Sequence, residues 1–137
     1  MKIIKRTLCV ASALAIGLAA QTATASAAVR PMTTDNCGTY ETFLVYDCMY
    51  IEGTGNYASE VRGWGYDTKD DYTFHIQVTG PNGTICNSPT TSVVGQVVGC
   101  QVYPGTIAYG TYCAIIWVYD GSYTNIGEQC DDVTPAL

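Results

Sequence analysis

The chain has 137 residues, a formal charge of −6, 47% hydrophobic residues and 13% charged ones. That length fits one ordinary domain. The acidic balance repels polyphosphate and argues against nucleic acid or a membrane surface as a partner.

Residues 1–27 read as a secretory signal peptide, so a secreted, extracellular product is expected. Lys2, Lys5 and Arg6 form a positive n-region, Leu8 to Ala20 an apolar stretch, and Ala25-Ser26-Ala27 a small-x-small cleavage motif. The mature chain is expected to begin at Ala28. The apolar stretch is too short for a membrane span. Cleavage leaves Arg30, Arg62 and Lys69 as the strong cations against 12 carboxylates, a formal charge of −9 for residues 28–137.

Cys9 falls in the leader. Cys37, Cys48, Cys86, Cys100, Cys113 and Cys130 remain. An even set in an exported small domain reads as three disulfides, not as a metal or redox site.

No helical period of useful length follows the leader. Glycine, β-branched residues and tyrosine dominate, and turn signals recur at the spacing of an all-β sandwich or barrel. Residues 28–41 are expected to form an extended, partly mobile arm pinned at Cys37, and residues 42–137 the sandwich domain. Thr42 to Ile51 and Tyr57 to Tyr66 read as strands around the turn Gly53-Thr54-Gly55-Asn56. Asp67 to Asp71 is a polar loop. From Tyr72 to Thr79, Tyr72, Phe74, Ile76 and Val78 alternate with Thr73, His75, Gln77 and Thr79, a half-buried strand. Gly80-Pro81-Asn82-Gly83 is a tight turn before a short strand ending at Cys86. Thr90 to Val94 and Gln96 to Tyr103 read as two more strands about Gly95.

Gly110 to Asp120 and Tyr123 to Val133 form a hairpin. A two-residue turn at Gly121-Ser122 pairs Asp120 with Tyr123 and, by the same register, Cys113 with Cys130. Trp117 then faces Ile126, Ile115 faces Glu128 and Ile116 faces Gly127. Which face is core stays open. For the other four cysteines the simplest pairing is Cys37–Cys48 and Cys86–Cys100, each closing a short loop.

Little points to catalysis. His75, the only histidine, lies on the outward set of its strand. No Gly-x-Ser-x-Gly elbow occurs, and bridged cysteines offer neither a thiolate nor a zinc set. Asp70-Asp71 and Asp131-Asp132 are adjacent, so on strands they point to opposite faces and make no acid–base couple. Asp67, Asp70 and Asp71 could gather around calcium, but the segment lacks an EF-hand's glycine and final glutamate. No metal or other cofactor is expected. Asn82-Gly83-Thr84 matches a glycosylation sequon, and its turn role suffices to explain it.

Arg62, Trp64 and Tyr66 share one strand face, with Gly63 and Gly65 on the other. Either Trp64 points inward against a disulfide, as in immunoglobulin-like sandwiches, or the three face outward as an Arg–aromatic patch typical of binding hot spots. Eleven tyrosines suit a half-buried sheet. They also suit recognition surfaces.

The runs CMYIEGTGNYASEVRGWG, FHIQVTGPNGT and GTYCAIIWVYDGSYTNIGEQCDDV, spanning residues 48–133, resemble a group of small secreted actinobacterial (Streptomyces-type) proteins. The resemblance implies secretion and a β-sandwich, and brings no catalytic residues. The expected fold is an immunoglobulin-like antiparallel β-sandwich of about seven strands with three disulfides. The expected function is non-enzymatic binding of an extracellular protein or polysaccharide. The alternative is inhibition of a secreted protease or glycosidase, with Lys69 as bait or the Arg62/Trp64/Tyr66 face as the contact.

Overall fold

The computed structural model describes residues 31–135 except 70, 71 and 103, with side chains from residue 34 onward. The signal-peptide expectation, and Asp70 and Asp71 of the calcium idea, lie outside the described residues.

Among the described residues nine strands form: β1 (Pro31–Tyr40), β2 (Val45–Thr54), β3 (Tyr57–Asp67), β4 (Thr73–Gly80), β5 (Gly83–Asn87), β6 (Val98–Val102), β7 (Gly105–Thr106), β8 (Gly110–Tyr119) and β9 (Tyr123–Val133). One antiparallel sheet runs β1-β2-β3-β6, with β7 also pairing β3; the other runs β5-β4-β8-β9. The sandwich is as expected, with nine strands in place of seven. The two additions are β1 and the two-residue β7. The other seven, lettered A to G in chain order, place A, B and E in one sheet and C, F and G in the other. The fourth pairs with the third, a variation on immunoglobulin-like order. A tyrosine corner marks the same architecture: Tyr112, early in β8 and 3% exposed, donates its hydroxyl to the Ala108 carbonyl at 2.8 Å.

Two segments differ from expectation. The arm is a full strand from Pro31, paired residue for residue with β2. Its polar sequence looks like a loop, yet an edge strand needs pairing on one side only. It also closes a seam to the other sheet, where Asn36 Nδ2 donates to the Cys130 carbonyl at 2.8 Å and Gln129 Nε2 to the Tyr40 hydroxyl at 3.3 Å. The expected strand from Thr90 to Val94 is instead a hydrogen-bonded loop that touches β4 through one bridge, Thr91 with Phe74. The strand expected from Gln96 to Tyr103 shortens to β6. Gly95 N–H donates to the Asp67 carbonyl at 2.8 Å and Gln96 N–H to the Val93 carbonyl at 3.1 Å, folding the tip into a turn. Gly95 has φ +75°, which glycine alone takes without strain.

The β8–β9 hairpin reaches the expected cysteine pairing by another route. Its turn has three residues, Asp120 to Ser122, and Tyr119 pairs with Tyr123. A bulge at Ile116/Trp117 leaves Ile126 as the extra residue on β9 and cancels that one-residue offset. Cys113 therefore still faces Cys130, while Trp117 meets Asn125 in place of Ile126. Ile116 is fully buried, so its face is the core and Trp117 points outward.

All three disulfides follow the nearest-neighbour pairing, with Cα separations of 4.1 Å (Cys37–Cys48), 6.0 Å (Cys86–Cys100) and 4.1 Å (Cys113–Cys130). The first and third join neighbouring strands of one sheet. Cys86–Cys100 joins β5 to β6, the edge strands of different sheets, opposite the β1–β9 seam. An oxidising compartment is implied.

The core interleaves Val45, Met49 and Ile51 of β2 with Phe74, Ile76 and Val78 of β4 and Ala114, Ile116 and Val118 of β8. It contains no tryptophan. Asp47 shares β2's inward row and is fully buried between Gly38 and Gly65 in the register. Neither of its carboxylate oxygens meets a partner among the described residues.

Candidate functional site

Glycine decides the orientation of β3. Gly63 and Gly65 point inward, where β3 comes close to the opposite sheet. A Cβ on Gly63 would lie 2.5 Å from Val78 Cγ2 and 3.0 Å from Ala114 Cβ. On Gly65 it would lie 2.6 Å from the Tyr46 carbonyl oxygen. No side chain fits at either position, so alternation sends Arg62, Trp64 and Tyr66 outward together. Of the two arrangements the sequence permits, the outward patch is the one formed. A disulfide does neighbour Trp64, but on the outer side of the sheet: Trp64 stands opposite Cys48, which is itself fully covered.

β2 supplies the next column. Tyr46 pairs with Tyr66 and Tyr50 with Arg62. The Tyr46 ring lies 5.7 Å from Trp64 and 5.2 Å from Tyr66, and the Trp64 and Tyr66 rings are near-parallel, 12° apart in plane, at 6.4 Å. The Arg62 guanidinium sits 5.2 Å from the Tyr50 ring centre, a cation–π contact, and 3.5 Å from Glu60. The Tyr50 hydroxyl donates to Glu52 at 3.2 Å. With Asp35, opposite Tyr50 on β1, these carboxylates give an aromatic centre an acidic rim.

A shallow cleft of about 320 Å³ continues the face past β6, lined by Arg62, Trp64, Val97, Gly99, Cys100 and Gln101. Gly99 lets β6 approach β3 closely there, because a Cβ would lie 2.6 Å from the Gly63 carbonyl oxygen and 2.8 Å from Trp64 Cβ. Beyond Val97 lies the 88–97 loop, whose Val93, Val94 and Val97 are 59%, 40% and 59% exposed. Three exposed valines on one loop add apolar surface beside the cleft. The valine run had suggested strands, and its exposure has no sequence signal.

The remaining candidates are placed as follows. Asp67 is buried and accepts the backbone N–H of Lys69 at 2.7 Å and of Tyr72 at 2.8 Å, so it orders its own loop. Lys69 is exposed on that loop. His75 is half-buried on the outer face of the second sheet, and burial lowers its pKa below the usual 6.5. The sequence reading also missed a second aromatic group beside it: Trp117, Tyr119 and Tyr123. Outward alternation of His75, with Trp117 in the neighbouring strand, was its signal.

Comparison with family models, with curated proteins and with solved structures finds no match. The fold and face define an immunoglobulin-like, disulfide-bridged β-sandwich with an outward-facing, half-buried Arg–aromatic sheet surface.

Proposed function

We propose that the protein is a secreted, non-enzymatic binding module that docks a protein partner on the outer face of the β1-β2-β3-β6 sheet, with Arg62, Trp64 and Tyr66 at its centre. The outward orientation imposed by inward Gly63 and Gly65 carries this reading. Tryptophan, tyrosine and arginine are the residues that most often dominate interface energies. The valines beside the cleft extend the apolar contact, and the cleft lies at the small end of ligand-pocket volumes, suited to an anchor side chain. The rim of Asp35, Glu52 and Glu60 favours a partner with basic residues around that anchor. Secretion is supported by the leader-like N-terminus and by three disulfides. Inhibition of a secreted hydrolase is the narrower form of the same reading. Against the loop-bait version, Asp70 and Asp71 directly follow Lys69 in the sequence and oppose cleavage by a trypsin-like pocket.

The test is capture from culture fluid and cell envelope on immobilised residues 28–137, with Trp64→Ala and Arg62→Ala in parallel. A partner protein should bind the wild type and weaken at least roughly 30-fold with Trp64→Ala, the scale of a hot-spot loss. Binding should also weaken as salt screens the acidic rim. Capture that both variants leave unchanged, or no captured protein, would overturn the proposal.

A further inference from the structure

The second sheet carries an aromatic surface of its own, and its chemistry differs from the first. Residues 72–119 contain no Asp, Glu, Lys or Arg, although the chain holds 18 such residues elsewhere. β4 and β8 lie wholly within that uncharged stretch. Their outer face sets His75 opposite Trp117, and Trp117 opposite Asn125. The next row is Thr73, Tyr119 and Tyr123. The His75 and Tyr123 rings meet edge to face at 4.7 Å, and Tyr119 lies 5.2 Å from Tyr123. Tyr119 and Tyr123 are 48% and 45% exposed.

Hydrogen bonds hold two of its rings in place. Trp117 Nε1 donates to Gln77 Oε1 at 3.1 Å, and Gln77 Nε2 donates to Asn87 Oδ1 at 3.1 Å, which fixes the indole. The Tyr123 hydroxyl lies 3.3 Å from the Thr90 hydroxyl. His75, its pKa lowered by burial, is a neutral ring at pH 7. Two carboxylates border it: exposed Asp120 in the turn between Tyr119 and Tyr123, and Glu128, opposite Ile115 in the register.

We infer that this outer face of the β4-β8-β9 layer binds neutral sugar residues of a polysaccharide, with Trp117, Tyr119 and Tyr123 as stacking plates. A pyranose ring presents weakly positive C–H groups on one face and hydroxyls around its rim. The C–H face matches the negative face of an aromatic ring. Uncharged amide and hydroxyl side chains, here Asn125, Gln77 and Thr73, match the rim. A face whose β4 and β8 residues carry no charge complements a neutral ligand, whereas a cationic one is better served by the acidic rim of the other sheet. Fixed rings lose little freedom on binding. The site stands apart from the protein contact proposed above, and each can fail alone.

The experiment measures depletion of residues 28–137 by insoluble chitin and cellulose, and a fluorescence titration with chitohexaose, cellohexaose, xylohexaose and laminarihexaose. Trp64→Phe makes Trp117 the sole indole, so its signal reports this face alone. At least one glycan should bind, perturb that signal, and weaken roughly tenfold or more in Trp117→Ala and in Tyr123→Ala, as loss of a ring contact implies. Trp64→Ala should bind it unchanged. Thermal unfolding of each variant separates loss of the plate from loss of fold. No binding by any of these glycans, or binding that Trp64→Ala abolishes and Trp117→Ala retains, overturns the inference.

Discussion

Asp47→Asn tests the interior of the sandwich. Asp47 is fully buried, its carboxylate oxygens meet no other residue's hydrogen-bonding group among the described residues, and burial pushes its pKa from 3.8 to about 7 against a weaker pull from its own backbone N–H. Between those values the folded protein holds a proton that the unfolded chain has released. Folding is therefore linked to proton uptake, and stability falls as pH rises through that window. The contribution is fully present below about pH 4 and lost as pH passes about 7. Each pH unit of displacement is about 1.4 kcal/mol, so the decline totals ~4 kcal/mol, a large share of a small domain's stability. Asparagine keeps the shape and removes the titration. Urea unfolding of the wild type and Asp47→Asn at intervals from pH 4 to 8 should give a difference that grows with pH in favour of the variant. Asp131, whose pKa burial also raises, affects both proteins alike and cancels in the difference. A difference that stays flat, or one that favours the wild type increasingly as pH rises, would refute the reasoning.

Gly63→Ala places a methyl 2.5 Å from Val78 Cγ2 and should cost about 1–3 kcal/mol by overpacking, read as a lower urea midpoint. Replacing Cys86 and Cys100 together by alanine opens a bridge of sequence separation 14 and should cost about 3 kcal/mol, seen as a lower melting temperature. Tyr112→Phe removes the donor to the Ala108 carbonyl and should cost about 1 kcal/mol in chemical denaturation.

The strand alternation from Thr73 onward and the pairing of all six described cysteines were legible because period two and short local loops are local signals. The hairpin shows how such a reading can succeed through compensation, since the longer turn and the bulge shift the register in opposite senses. β1 was misread because Thr, Asp and Asn at an edge strand look like a loop until a partner strand is seen. The run from Val93 to Val97 was misread in the opposite direction. Its apolar run suggests burial, but the Asp67 carbonyl and the Thr91 hydroxyl hold its backbone in a turn. For the candidate site, alternation grouped Arg62, Trp64 and Tyr66 without saying which way they face. Hydrophobicity alone points tryptophan inward. The deciding constraint is steric and nonlocal, the space that Val78 and Ala114 leave above β3. Asp47 escaped notice because only the completed second sheet buries it.

Both proposals depend on the tryptophans standing outside the sandwich, and Trp64 matters most. In Trp117→Phe, Trp64 is the sole remaining indole, so acrylamide quenching of the folded protein reads its position alone. An outward, half-buried Trp64 gives emission that acrylamide quenches readily, though less than in the unfolded chain. A blue-shifted indole that acrylamide hardly reaches would put Trp64 between the sheets.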